Sequence, residues 1–380
     1  MNGKTVIIIL LTIISLNTEI FSQNLIVVPG KTIIETDKGD PFLWIGDTAW
    51  ELFSDLSREE VIFYMDNREE KGFSVLQATL MMGGFDQRNY YGDTIFHNRK
   101  PSLPNEKYFE YVDFVVNEAE KREMHMGLLP TWSNNVADRH GRGANFNVEN
   151  AYAYGKFLSE RYKGKPVIWI LGGDRNVQTD AEYLIWKSMA AGLAEGKGGH
   201  LISYHPTAPI SSHFWFHNEP WLSFNIIQSG HFKKFQTEII EFGMVFQQLS
   251  PQKPWVNAEP SYEDIPVLFW HFNDFSKYGK KREEVIGEDG LIKDKEYFSH
   301  GFFDDYDIRM EAYWTFFSGG AGYSYGNNAI WQMYKPGNKY HVPCLTFWNE
   351  ALDRPGADDM RHVKKLFTKY PPGSFHVDQS

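Results

Sequence analysis

The chain holds a single cysteine, Cys344, among 380 residues. A disulfide within the chain is therefore impossible, and so is a zinc site built on cysteines. Basic charge is also scarce: 38 Lys and Arg stand against 49 Asp and Glu, a net charge of −11. That argues against nucleic acid or an anionic membrane as partner, since both need a basic surface. The first strand-like run leads into GDTAW rather than G-x-G-x-x-G, so a dinucleotide-binding open sheet would lack its phosphate loop. No Walker loop is present and no nucleophile elbow is read, which leaves phosphoryl and acyl transfer without a signal. Internal repeats and low-complexity segments are missing too. Long apolar runs are limited to Val6–Leu16, whose 11 residues are too few to span a bilayer.

That run follows Lys4 and precedes the small residue Ser22, the pattern of a secretory signal. Residues 1–23 are expected to be a signal peptide, cleaved at about position 22 or 23. No cysteine follows to carry a lipid, so a lipoprotein membrane anchor is excluded. Export without disulfides fits a bacterial periplasm or secretion. The remainder can bury a core: apolar residues make up 42% and charged residues 23%. Aromatics reach 16%, with 12 Trp and 20 Tyr, which fits large cores and equally fits platforms for sugar rings.

From residue 42 onward, short apolar runs alternate with longer amphipathic ones. The strand-like runs are 42–47, 74–82, 125–132, 167–174, 201–206, 223–230, 254–262 and 322–327. Helix-like segments cover 57–71, 106–123, 147–163, 181–195, 235–249, 307–318 and 357–370. Ser57 with Glu60 reads as a capping box, Asn147 heads the third helix, and Asp180 stands before the fourth. Near-continuous apolar strands are those buried on both faces, as in parallel sheets. Eight of them alternating with helices over roughly 320 residues is the (β/α)₈ TIM-barrel pattern, one domain over 24–375 with a short tail, 376–380. The stretch 263–306, rich in charges and aromatics, reads as a loop inserted over one face of the barrel.

In such a barrel the site lies at the C-terminal ends of the strands. The fourth strand ends in VIWILGGDRN, where apolar residues give way to a glycine pair, then Asp174, Arg175 and Asn176. The seventh ends in VNAEPSY, with Glu259 followed by Pro260. Ends four and seven face each other across a barrel mouth. Two opposed carboxyls are what glycoside hydrolysis needs: one protonates the leaving oxygen, and the other attacks the sugar carbon or activates water. Alone, Asp174 could equally cap a helix or pair with Arg175 or Arg161. Asp47 either caps a short helix or binds a sugar hydroxyl. Asn176 orients substrate or caps a turn. His205, ending a strand before Pro206, is read as a site residue, and Gln228 as a hydroxyl contact. Trp50, Trp132, Tyr262 and Trp331 are candidate sugar platforms, and Arg175 a candidate reader of a substrate carboxylate. His213 and His217 share helical spacing but lack a third ligand, so no metal and no cofactor is expected.

The ordered set FLWIGDTAW (42–50), GFSVLQ (72–77), GLLPTW (127–132), WILGGDRN (169–176), His205-Pro206, WVNAEPSYE (255–263), DIRMEAYWTFFSGGAGYSYG (307–326) and IWQ (330–332) resembles the apiosidase-like glycoside hydrolases, family 140. The resemblance covers roughly residues 27 to 375. It implies a barrel whose acid/base is Asp174 and whose nucleophile, in a retaining mechanism, is Glu259. It implies as substrate a pectic oligosaccharide, with apiose released from side chains of rhamnogalacturonan II. The chain departs from the family pattern in three places. Tyr323 and Asn327 stand where many relatives place histidines, which bears on the sugar subsite and makes Asn327 a candidate substrate contact. The stretch 263–306 is longer, and the C-terminal β-sandwich of relatives is expected to be absent, since the sequence given stops at Ser380.

Overall fold

A computed structural model describes residues 24–136, 145–372 and 374. The expected signal segment 1–23 and tail 376–380 lie outside the described residues. Eight strands build the centre: β1 (Trp44–Thr48), β2 (Val75–Thr79), β3 (His125–Leu129), β4 (Val167–Gly172), β5 (Ile202–His205), β6 (Asn225–Gln228), β7 (Trp255–Glu259) and β8 (Gly322–Tyr325). Every residue in them is buried, because the sheet closes on itself inside and carries helices outside. Sequential strands pair in parallel from β1 to β5 and from β6 to β8, and β8 returns to β1 with Gly322 opposite Trp44 and Tyr325 opposite Asp47. This is a (β/α)₈ barrel.

Among the described residues β5 and β6 share no ladder. The seam is joined by Ser223 N–H donating to Ile202 O (2.8 Å) and the Ser203 hydroxyl donating to Phe224 O (2.6 Å). The end of β6 pairs instead with an antiparallel two-residue strand, Ile210–Ser211, that the sequence pattern did not reveal.

Among the described residues seven long helices surround the strands: α1 (Arg58–Glu70), α2 (Glu106–Lys121), α3 (Val148–Arg161), α4 (Asp180–Glu195), α5 (Glu238–Gln248), α6 (Asp305–Phe317) and α7 (Pro355–Lys369). The β5–β6 connection has no long helix, only the short strand Ile210–Ser211 and the single helical turn His213–Phe216. Ser57 and Asn147 each form a full capping box. At α4 the cap is Thr179, whose hydroxyl accepts from Glu182 N–H at 3.2 Å; Asp180 is the first helical residue, where its charge suits the helix dipole. Segment 263–306 joins β7 to α6 and has its own small core of Phe272, Val285, Ile286, Ile292, Tyr297 and Phe298. No helix among the described residues is long and apolar enough to cross a membrane.

Polar groups inside the barrel are bonded to one another. Trp44 Nε1 donates to Ser324 Oγ (3.0 Å), Ser324 to Gln77 Oε1 (2.5 Å), and Gln77 Nε2 to Ala258 O (3.0 Å). Ser324 is the serine of GYSYG (322–326), which does match the letters G-x-S-x-G. It lies within β8, fully buried, and not on the sharp strand-to-helix turn that exposes a nucleophile.

Asp47 is neither a helix cap nor a sugar contact. It is fully buried on the helix side of β1, 2.6 Å from Arg68 Nε of α1, and accepts from Tyr64 Oη at 2.7 Å. Breaking such a pair strands a buried charge, which costs far more than the pair itself contributes. Replacing Arg68 by Met is expected to lower unfolding free energy by ~3–5 kcal/mol, measured by urea denaturation.

Candidate active site

A cavity of about 350 Å³ opens at the C-terminal ends of the strands. Every barrel strand supplies a wall residue, from Trp50 after β1, Met82 after β2 and Trp132 after β3 round to Glu259 on β7 and Trp331 after β8. Seven of the sequence candidates line it: Trp50, Trp132, Asp174, Gln228, Glu259, Tyr262 and Trp331.

Glu259 owes its aim to an irregularity in β7. The register with β6 shifts between Asn257 and Glu259, so Glu259 stands opposite Gln228. Such a bulge redirects the side chain that follows it. The Glu259 carboxylate is held between two rings: His205 Nε2 is 3.3 Å from Oε2, and His231 Nε2 is 3.4 Å from Oε1. The other nitrogen of His205, Nδ1, faces Pro206 O at 2.9 Å. Both ring nitrogens of His205 thus lie against oxygen acceptors, one on each side of the ring. Burial by itself would raise the Glu259 carboxyl, but the hydrogen bonds and charge of the two histidines outweigh it and bring it down to about 2. Glu259 is therefore ionised across the working pH range.

The glycine pair before Asp174 is a steric requirement. Gly172 and Gly173 have φ of +90° and +114°. A Cβ on Gly172 would sit 2.3 Å from His205 O, and one on Gly173 2.6 Å from the Trp132 ring. Asp174 itself is left-handed, φ +49°, a conformation that costs a non-glycine residue and clusters at functional sites. Its Oδ1 accepts from the Thr207 hydroxyl at 2.8 Å, with Gln228 Nε2 at 3.5 Å. Although 41% of its side chain is exposed, that surface opens into a pocket walled largely by aromatics. Desolvation and the charge of Glu259 raise the Asp174 carboxyl above the ordinary aspartate range; Thr207, Arg175 and His205 offset only part of this.

The remaining candidates do not reach the cavity wall. His205 is fully buried beneath Glu259, edge-on to Trp50 at 5.6 Å. Asn176 accepts from Thr207 N–H at 3.2 Å and ties two strand ends together. Arg175 donates to its neighbour's backbone, Asp174 O, at 2.8 Å, and its Nη1 lies 3.5 Å from Asp174 Oδ2, so it pairs with that acid without itself lining the cavity. Asn327 is fully buried, accepts from Ala329 N–H at 2.8 Å as a helix cap, and donates to Asp264. Tyr323 is likewise buried within β8. His217 contacts Pro251 O at 2.9 Å and Asn225 Nδ2 at 3.2 Å, which occupies both its nitrogens.

Sequence reasoning missed Thr207, His231 and the apolar wall of Phe232, Ile265, Phe269 and Trp270. His231 and Thr207 each lie just past a strand end, in QSGH and HPT, and that position was the available signal. It also missed Glu311 of α6, which accepts from Ser261 N–H (3.0 Å) and Ser261 Oγ (2.7 Å) and so fixes the turn after Glu259 from below. Burial pushes the Glu311 carboxyl up to about 8.

Two outcomes follow from these charges. Glu259→Gln removes the negative charge that raises Asp174, so the Asp174 carboxyl is expected to titrate at lower pH, read by ¹³C NMR of the assigned side chain. Glu311 keeps its proton in the folded state where the unfolded chain loses it, so stability falls as pH rises from 4.5 toward about 8. In Glu311→Gln that decline is expected to be shallower, measured as the change in urea midpoint between pH 5 and pH 8.

A family sequence model described as the apiosidase-like catalytic domain matches residues 29–372. Among solved structures, one named as a glycoside hydrolase has a TM-score of 0.78 and 29% identity, covering 92% of this chain and 76% of its own. A family 5 glycoside hydrolase from Bacteroides vulgatus ATCC 8482 has a TM-score of 0.77 and 28% identity, covering 92% of this chain and 72% of its own. An endo-1,4-β-D-mannanase from Thermotoga petrophila RKU-1, 14% identical with a TM-score of 0.56 over 86% of this chain and 100% of its own, shares the fold. Comparison with curated proteins returns no match. Matched by this family model over nearly its whole length, and with Asp174 and Glu259 brought together at the mouth of its barrel, the chain belongs to the apiosidase-like glycoside hydrolases.

Proposed function

We propose that the protein is a retaining glycosidase that releases apiose, or a similar neutral sugar, from pectic side chains of the rhamnogalacturonan II type. The observation that carries the reading is the contrast between two carboxyls in one cavity: Glu259 held ionised and Asp174 pushed toward its protonated form. Environments that drive a pair apart in this way mark a nucleophile or base and an acid. In the first step Glu259 attacks the anomeric carbon as Asp174 gives its proton to the departing oxygen. In the second, Asp174 takes a proton from water, and that water displaces Glu259. His205 and His231 hold both oxygens of Glu259 and fix its direction of attack. Trp50, Trp132, Tyr262 and Trp331 offer ring faces to the sugar, and Gln228 an amide to a hydroxyl.

Among the described residues no Lys or Arg lines the cavity, which favours a neutral sugar over a uronic acid in the cleaved position. The same observation suits another neutral pentose or deoxysugar, and a panel of glycosides and pectic oligosaccharides separates these. The apolar run at Val6–Leu16 supports export to the periplasm or beyond.

Glu259→Gln is expected to abolish turnover with the melting temperature little changed; retained turnover would remove Glu259 from the mechanism. Asp174→Ala is expected to lose roughly 10²–10⁴-fold on a sugar leaving group but far less on an aryl glycoside whose phenolate departs unaided. Proton NMR of the first-formed anomer tests retention.

A further inference from the structure

We infer that Trp270 and Phe232 form a second sugar subsite, which stacks on the ring of the leaving group. The inference rests on the glycosidase reading above and extends it to the other half of the substrate. Its ligand class is a neutral or charged sugar ring joined to the cleaved residue and recognised by its apolar C–H face.

Three observations carry it. The first is position. An acid that protonates the leaving oxygen stands beside the leaving group. Asp174 is held by Thr207, Ala208 is next in the chain, and Gly230 packs against Ala208 so closely that a Cβ there would come within 2.5 Å. Phe232 and Trp270 continue this wall outward, whereas Trp50 and Trp331 come from strands β1 and β8. The second is exposure. Most of the large aromatics around the barrel are buried, yet Trp270 is 37% and Phe232 38% exposed, edge to face with ring centres 5.1 Å apart, on the lip of the cavity. Exposed apolar surface continuous with a binding cavity marks a contact site.

The third is that Trp270 is held in place by deliberate backbone geometry. Leu268 adopts a left-handed conformation, φ +56° and ψ 41°, at the start of the turn Phe269–Phe272. For a Leu this is a strained choice, retained where surroundings over-determine it. Those surroundings are visible. Leu268 N–H donates to His231 O at 2.9 Å, and at the far end of the turn Phe272 O accepts from Tyr297 Oη at 2.9 Å within the loop's own core. The turn that carries Trp270 is thereby fastened to the residue that braces Glu259. Segment 263–306 thus acts as a rigid arm that presents one indole to the mouth. With no Lys or Arg among the described residues that line the cavity, stacking is the contact this wall offers to the leaving ring.

The test uses two substrates with the same cleaved sugar, methyl apioside and an apiosyl galacturonide, and the full-length protein with Trp270→Ala and Trp270→Phe. The wild type is expected to hydrolyse both. Trp270→Ala is expected to raise KM for the disaccharide roughly tenfold, the loss of one aromatic face, with kcat and the methyl-glycoside kinetics nearly unchanged. Trp270→Phe is expected to recover most of the loss, and KM to change little between low and moderate salt. If the wild type cleaves both but Trp270→Ala alters neither, or weakens both equally, the subsite is refuted while the glycosidase reading stands. A steep salt dependence of the disaccharide KM also refutes it, since charge would then hold the ring. If the wild type cleaves no glycoside, both readings fall together.

Discussion

The constraint on which the site depends is the burial of one negative charge. An ionised carboxylate taken out of water is costly unless its partners restore what hydration supplied. Glu259 is 7% exposed, and each of its oxygens faces a histidine nitrogen. Those histidines are themselves held: His205 by Pro206 O, and His231 by the ring of Tyr262, 4.6 Å away, and by the backbone of Leu268. The bulge in β7 and the Ser261–Glu311 bonds then set where the carboxylate stands. Four elements distant in sequence thus cooperate to keep one group charged.

That charge acts in turn on Asp174. Two carboxyls sharing one apolar-walled space do not ionise alike, so holding one charged helps keep the proton on the other. The left-handed Asp174 and the two glycines before it are the backbone expression of the same requirement. They let β4 end abruptly, pass between Trp132 and His205, and turn a carboxyl into the cavity. A side chain at either glycine would run into the His205 carbonyl oxygen or the Trp132 ring.

The sequence showed the barrel because its strands are buried on both faces and therefore largely apolar, and because several of its long helices begin with side-chain caps. It pointed to Asp174 and Glu259 because carboxyls at the fourth and seventh strand ends face each other across a barrel mouth, a pairing more specific than either residue alone. It misplaced others for an equally physical reason. Asp47 occupies the same kind of position as Asp174, yet its partner Arg68 lies 21 residues on, across the strand–helix interface, where local pattern says nothing. Asn327 follows β8 but spends its side chain on a helix cap and Asp264. Arg175 turns back to a backbone carbonyl. His231 and Thr207 were marked only by their place just past a strand end, and Trp270 by nothing local, because what makes each useful is a neighbour from another strand or loop.

By itself, then, the sequence determined the elements and the family, since caps, apolar periodicity and a consecutive motif such as WILGGDRN are properties of neighbouring residues. It also determined which two carboxyls stand at strand ends. Only the tertiary structure decided which polar side chains face the cavity and which are used up elsewhere, and which of the two carboxyls is pushed up and which down. Those outcomes rest on desolvation and on charges less than 4 Å away in space but tens of residues away in the chain, such as His205 and Glu259.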